Sequence, residues 1–230
     1  MNKKINCILP IRSGSQRIKN KNIRRIGNFK LGLFEIKFNQ LLKSKKINKI
    51  IVSTNEKKII KFLNSNNFSK EIVIDLRPEF YCSNSISTDE LINYIASIIP
   101  NEDILWTHVT SPFINEKIYD QIIDFYYKKI NKNKYDSLAT AHVIKNYLWK
   151  DQKPLNYDIK KEKWPATQNL KPIYELDSGV FISSKKNYLK FKNRIGLKPY
   201  FYELNKINST DVDWEDDFNF VKMLIEFGIK

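Results

Sequence analysis

Residues 5–22 read INCILPIRSGSQRIKNKN, an apolar run of seven residues that breaks into a loop crowded with hydrogen-bond donors. The run 5–11 has the length and apolar content of a buried strand. The loop carries Arg12, Arg17, Lys19 and Lys21, hydroxyls on Ser13 and Ser15, and Gly14, where backbone can approach a ligand closely. Arginine offers a planar fork and lysine a point charge, so the set suits a polyphosphate. A donor-rich loop at the carboxyl end of a parallel strand is also where open α/β sheets take ligands. The loop is neither GxGxxG nor GxxxxGK[ST], so dinucleotide folds and P-loop enzymes lose their main support. An ordinary polar β-to-α loop in a Lys-rich chain is the competing reading.

Outward from that loop, short Ile- and Val-rich runs alternate with longer amphipathic stretches, the pattern of βα units around a largely parallel sheet. Candidate strands are 5–11, 47–53, 71–75, 103–109, 136–143, 178–183 and 199–204; candidate helices are 31–44, 56–65, 88–99, 115–129 and 214–227. Ser87 and Glu90 form a capping-box pattern at the third helix. Asp213 is a cap candidate for the last, with Glu215, Asp216 and Asp217 in its first turn, where the helix dipole favours carboxylates. The alternation breaks between about 144 and 177, around Trp149 and Trp164, which reads as an inserted lid or dimerisation arm. No repeat or Pro/Gly-rich linker divides the 230 residues, so a single domain over 1–230 is expected.

The formal net charge is +15, which ordinarily suggests a polyanion partner. Its distribution argues otherwise: residues 1–50 hold 14 Lys or Arg against Glu35 alone, a net +13, leaving +2 for the remainder. Six of the 40 basic residues are Arg. No nucleic-acid motif accompanies the charge, so neither RNA nor DNA is the expected partner. No run approaches the roughly 20 apolar residues that span a bilayer, and two cysteines are too few for a disulfide framework. A soluble, cytoplasmic protein without a membrane partner is expected.

The run LPIRSGSQRIKNKNI resembles the signature loop of the acylneuraminate (CMP-sialic acid, or nonulosonate) cytidylyltransferases, and further matches follow in that family's order. They are Ile51-Val52-Ser53-Thr54-Asn55, Arg77-Pro78-Glu79 leading to Ser87-Thr88-Asp89, Thr110-Ser111-Pro112, Thr167-Gln168-Asn169-Leu170, and Asp211-Val212-Asp213 with Asp217-Phe218. The resemblance implies an α/β fold of nucleotide-diphospho-sugar transferase (Rossmann-like) type, a mostly parallel twisted sheet with helices on both faces and a dimerisation arm. It also implies Mg²⁺-dependent transfer of CMP from CTP to the anomeric hydroxyl of a sialic-acid-like sugar acid, with release of pyrophosphate, by a homodimer.

On the same resemblance Arg12, Ser13, Gly14, Ser15, Lys21 and Asn22 hold the triphosphate, and Arg77, Ser87 and Thr88 face the cytidine. His108, Thr110, Ser111, Gln168 and Asp177 face the sugar. Asp211 and Asp213 become the Mg²⁺ ligands and, with Arg12 and Lys21, the catalytic set. Paired carboxylates suit a hard, oxygen-seeking cation.

Departures from the family pattern cluster at the sugar: His108 stands for a Gln, Ala166 for an Arg, and Asp177-Ser178-Gly179 for Asn-Gly-Ala. Asn55 stands for an Asp. His108 admits three readings: a satisfied core histidine, a substrate contact, or a general base. His142 is a weaker substrate candidate. Trp149 and Trp164 are candidates for the arm or a sugar wall, while Trp106, Tyr126 and Tyr127 read as packing. The runners-up are a 3-deoxy-octulosonate or other sugar nucleotidyltransferase, an inactive partner subunit and, from another class, a polyanion-binding protein.

Overall fold

The computed structural model describes residues 3–130 and 134–229, so the outermost residues of the 1–230 span lie outside the description. In chain order the elements are β1 (Ile5–Ile11), α1 (Gly32–Lys43), β2 (Ile47–Thr54), α2 (Lys57–Asn64), β3 (Glu71–Leu76), α3 (Thr88–Ile98), β4 (Asp103–Thr107), α4 (Glu116–Ile130), β5 (Ser137–Ile144), β6 (Trp149–Lys150), β7 (Lys153–Pro154), β8 (Ile173–Ser184), α5 (Lys185–Phe191), β9 (Pro199–Leu204) and α6 (Glu215–Glu226). Seven strands form one sheet in the order β3-β2-β1-β4-β8-β5-β9. β1, β2, β3 and β4 pair in parallel, as do β5 and β9. Only β8 is antiparallel to its neighbours, β4 and β5.

Every residue of β1 is buried, as expected of a central parallel strand covered on both faces. Its side chains alternate between two cores. Cys7, Leu9 and Ile11 join Leu33, Phe34 and Phe38 of α1, Tyr119 and Ile122 of α4 and Phe218 of α6. Ile8 points the other way, to Ile92 and Ile95 of α3, Trp106, Phe181 and Tyr188 of α5. Full burial of each such large side chain is worth about 1.5–3 kcal/mol, so the two faces together supply the main drive to fold.

The expected strands and helices appear within a few residues. α5 was not anticipated; the Ser184 side chain caps it by accepting from the Asn187 N–H. The irregular stretch is shorter than 144–177, because Ile173–Leu176 already pair with Ala141–Ile144 as the start of β8. What remains is a small β6–β7 hairpin and a 3-10 turn at Thr167–Asn169. Among the described residues no helix is long and apolar enough to cross a membrane.

Candidate functional site

Because β1 and β4 run parallel and adjacent, the loops at their carboxyl ends open on the same edge of the sheet. A cavity of about 610 Å³ lies there. Arg12, Ser15, Gln16, Arg17, Lys21 and Asn22 from the first loop line it, with Arg77, Thr88, Leu91, Trp106, His108, Thr110, Ser178, Arg194, Asp211 and Asp213.

The loop is held in shape by neighbouring elements. Asn22 Nδ2 donates to the Arg12 carbonyl at 3.1 Å, and the Ser13 N–H donates to Asn55 Oδ1 at 2.9 Å. Asn55 Nδ2 in turn donates to the Glu79 carboxylate. The amide at this position therefore accepts from the loop with one end and donates to a carboxylate with the other, which an aspartate could not do. Arg12 donates to the Cys82 carbonyl at 3.1 Å and also contacts Asn84. Arg77 is buried, donating to Ser53 Oγ at 3.0 Å and to the Ser53 carbonyl at 2.7 Å.

The chain's far end closes the site. Val212 N–H donates to the Thr110 carbonyl at 2.8 Å, and Lys21 Nζ donates to the Val212 carbonyl at 2.6 Å. Arg17 pairs with Asp213 at 2.8 Å, Lys21 reaches the same carboxylate at 3.5 Å, and Arg24 pairs with Glu215 at 2.6 Å. Asp217 accepts from the N–H groups of Asp213 and Trp214 at 3.0 and 2.8 Å. It is the N-terminal lock of α6 and the brace of Asp213. Asp213 itself is not the cap, since the helix is entered from Trp214.

Asp211 is largely buried, and burial pushes its carboxyl up to about 6, partly offset by a hydrogen bond from Thr110. Its Oδ1 is buried and has no hydrogen-bond partner among the described residues. A buried, unsatisfied carboxylate oxygen next to a second carboxylate fits a hard divalent cation that takes its other ligands from phosphate oxygens. Burial likewise lowers the Lys21 ammonium, with Asp213 and Asp211 opposing.

At the other end of the cavity His108 Nε2 lies 2.9 Å from Trp106 Nε1 and 2.9 Å from an Arg194 terminal nitrogen. Both partners can only donate, so Nε2 accepts and the proton of the neutral ring is on Nδ1. Burial, reinforced by Arg194, Lys21 and Arg77, holds His108 at about 3. With Nε2 taken by two donors and its basicity lowered, the neutral ring offers an N–H at Nδ1, which weighs against the general-base reading.

Several expected site residues lie outside the cavity lining. Ser13 and Gly14 shape the loop, Gly14 in the left-handed region at φ 72°, without lining the cavity. Ser87 is committed to its capping box with Glu90, and Thr88 is the residue that faces the cavity. Ser111 is buried, its hydroxyl without a partner among the described residues. Gln168 is exposed in the 3-10 turn and does not reach the lining. Asp177 is corrected to a structural part: its Oδ1 accepts from Thr140 Oγ1 at 2.5 Å and Gly179 N at 2.9 Å, stapling the irregularity in the β5–β8 ladder. Ser178, at φ 57°, faces the cavity in its place. His142, Trp149 and Trp164 do not line it.

Ser178 and Arg194 were missed as cavity residues, and Trp106, read as packing, also lines the cavity. One sequence signal pointed to the arginines: four of the chain's six, Arg12, Arg17, Arg77 and Arg194, line the cavity. Where lysine serves almost everywhere else, the fork of arginine marks a geometric need.

Residues 6–207 match the family model described as Cytidylyltransferase. The chain is 25% identical over 219 residues to the N-acylneuraminate cytidylyltransferase of Streptococcus agalactiae serotype III, covering 92% of this chain and 51% of that protein. It is 26% identical over 226 residues to the enzyme of the same name from Escherichia coli O18:K1:H7, covering 95% and 51%. The chain thus spans about half the length of the curated relatives it matches. Among solved structures, CMP:2-keto-3-deoxy-manno-octonic acid synthetase complexed with CTP superposes with a TM-score of 0.65 at 13% identity, over 98% of this chain and 99% of that one. The 4-diphosphocytidyl-2C-methyl-D-erythritol synthase from Anaerococcus prevotii gives 0.64 at 16%, over 98% and 97%. At these identities the structural matches speak to the fold.

Proposed function

Since the chain belongs to the cytidylyltransferase family, we propose that it transfers CMP from CTP to the anomeric hydroxyl of a sialic-acid-like sugar acid and releases pyrophosphate. The observation that carries this reading is the meeting, in one cavity, of Arg12, Lys21 and Arg77 with Asp211 and Asp213 from the other end of the chain. The first three neutralise and align a triphosphate, and transfer of this kind is mainly positioning and charge stabilisation without a covalent protein step. Asp211 and Asp213 would hold Mg²⁺, which when bound supplies Lewis-acid polarisation of the α-phosphoryl group. Lys21, braced between the Val212 carbonyl and Asp213, keeps its ammonium directed at the same place. Arg77, fixed by two bonds to Ser53, presents its remaining donors to the nucleotide. We further propose that the 145–172 segment, with Trp149, Leu155, Ile159 and Trp164 exposed, makes the contact of a homodimer.

Pyrophosphate release from CTP with Mg²⁺ tests the reading, measured against sialic, legionaminic, pseudaminic and 3-deoxy-octulosonic acids with ATP, GTP and UTP as controls. Turnover with CTP and one acid is expected. Silence with every acid, together with no rise in melting temperature on adding CTP, would sink it. Asp211→Asn is expected to lower Mg²⁺-dependent turnover by at least about 100-fold with the circular dichroism spectrum intact. Near-native turnover in that variant would remove the metal assignment.

A further inference from the structure

Among the described residues Arg194 is the cavity guanidinium with neither a carboxylate nor a carbonyl acceptor. Arg12 is tied to the Cys82 carbonyl and Asn84, Arg17 to Asp213, and Arg77 to Ser53. Arg194 makes one hydrogen bond, to the neutral ring of His108, and among the described residues it has no carboxylate partner. It follows α5 in a loop that packs its guanidinium 4.0 Å from the Phe181 ring centroid and 5.4 Å from that of Trp106. Trp106 is in turn stacked on Tyr188. This aromatic bed fixes the plane of the fork, and burial weighs against its charge. A half-buried cation inside a cavity, held flat and left with most of its five N–H donors unused, is a site prepared for an anion.

His108 holds the fork from one side. Trp106 and Arg194 both occupy His108 Nε2, so the proton is on Nδ1, which has no hydrogen-bond partner among the described residues. Arg194 contacts His108 and the rings of Trp106 and Phe181 and, among the described residues, makes no hydrogen bond to Lys21, Asp211 or Asp213, so its fork is not committed to the groups assigned to the metal triphosphate.

We propose that the fork of Arg194, held by His108 Nε2 and the rings of Phe181 and Trp106, is the clamp for the carboxylate of the sugar acid, and that it sets the demand for an acid over a neutral sugar. The assignment rests on the sugar-acid reading above and extends it to named residues. A guanidinium fork fits a planar carboxylate. The neutrality of His108 matters, because an imidazolium would have to surrender its bond from Arg194 and repel that cation.

The test titrates the full chain with N-acetylneuraminate and 3-deoxy-octulosonate, each as the free acid and as its methyl ester. It reads affinity by calorimetry and the Arg194 Nε–H resonance by ¹⁵N NMR. At least one free acid should shift that resonance and bind about 10- to 100-fold more tightly than its ester, the range expected of a hydrogen-bonded charge. Arg194→Gln should abolish that preference, Arg194→Lys should restore part of it, and the CTP-induced rise in melting temperature should be unchanged in both. Equal affinity for acid and ester, an unmoved Arg194 resonance with every acid, or an Arg194→Gln defect confined to CTP would overturn the clamp. If an acid binds through Arg194 yet no CMP transfer occurs, the clamp stands and the reaction falls. If transfer proceeds with an unaltered sugar KM in Arg194→Gln, the reaction stands and the clamp falls.

Discussion

His108 shows how a neighbour decides what a side chain can do. A histidine near a transferable hydroxyl invites assignment as a general base, yet two obligate donors on Nε2 make it a donor at Nδ1. With the ring held at about 3, it contributes no limb to a pH profile between about 5 and 8. His108→Gln is expected to raise the sugar KM while leaving the positions of the kcat/KM limbs where they are in the native enzyme; a lost limb near neutrality would restore the base role. Lys37 is a second residue whose behaviour follows from surroundings. It is fully buried in α1, its Nζ donating to the Ile114 carbonyl at 3.1 Å over the Tyr119 ring, and burial pushes it from 10.5 down to about 7. Between those values the unfolded chain binds more protons than the folded one, so Lys37 makes stability rise with pH there; below about 7 the cost of the buried charge is at its full value. Urea midpoints at pH 7 and 9 should therefore differ less in Lys37→Met than in the native chain, and the variant should be the more stable at pH 7.

Element ends carry the site, and their chemistry was largely local. The capping box of Ser87 and Glu90 sets where α3 begins and so which side Thr88 faces. Ser87→Ala should cost about 1 kcal/mol, read as a lowered denaturation midpoint, with a raised KM for CTP as Thr88 loses its place. A midpoint unchanged within error would mean that the box contributes nothing in this context. At the start of α1, Gly32 has φ 47°, and an added Cβ would lie 1.9 Å from the Arg24 carbonyl oxygen. Gly32→Ala is expected to destabilise by at least about 2 kcal/mol, measured by thermal melting. The Ser87 box was legible because its pattern is four consecutive residues. The lock on α6 was misread as Asp213, since several acids in one turn can all reach the helix start and only the backbone path chose Asp217.

Across the whole molecule the surplus positive charge resolves into a division of labour. The basic first loop and the acidic start of α6 are nearly 200 residues apart in sequence, yet Arg17, Lys21 and Arg24 meet Asp213 and Glu215. Exposed pairs of this kind contribute little to stability; here they orient two chain ends around one cavity. A second surface is the 145–172 segment, where Tyr147 packs edge-on against Trp164 and Tyr157 while Trp149 and Trp164 stay exposed. Light scattering at micromolar concentration should give twice the 27.3 kDa chain mass, and Trp164→Asp should shift the population toward the monomer. A monomeric native chain would remove the arm's proposed role.

The sequence by itself determined the βα alternation, the buried first strand, the donor-rich loop after it and the closeness of Asp211 and Asp213, because each is written in contiguous residues whose period or spacing carries the physics. Only the tertiary structure decided which side chains face the cavity. Asp177 and Ser178 are neighbours, but an irregular ladder turns one into the interior and the other into the site. Arg194 has no local motif at all: it becomes a cavity residue because α5 packs against α3 and its loop lays the guanidinium on Phe181 and Trp106. Neutral His108 follows from the same contact, since its tautomer depends on donors 2 and 86 residues away.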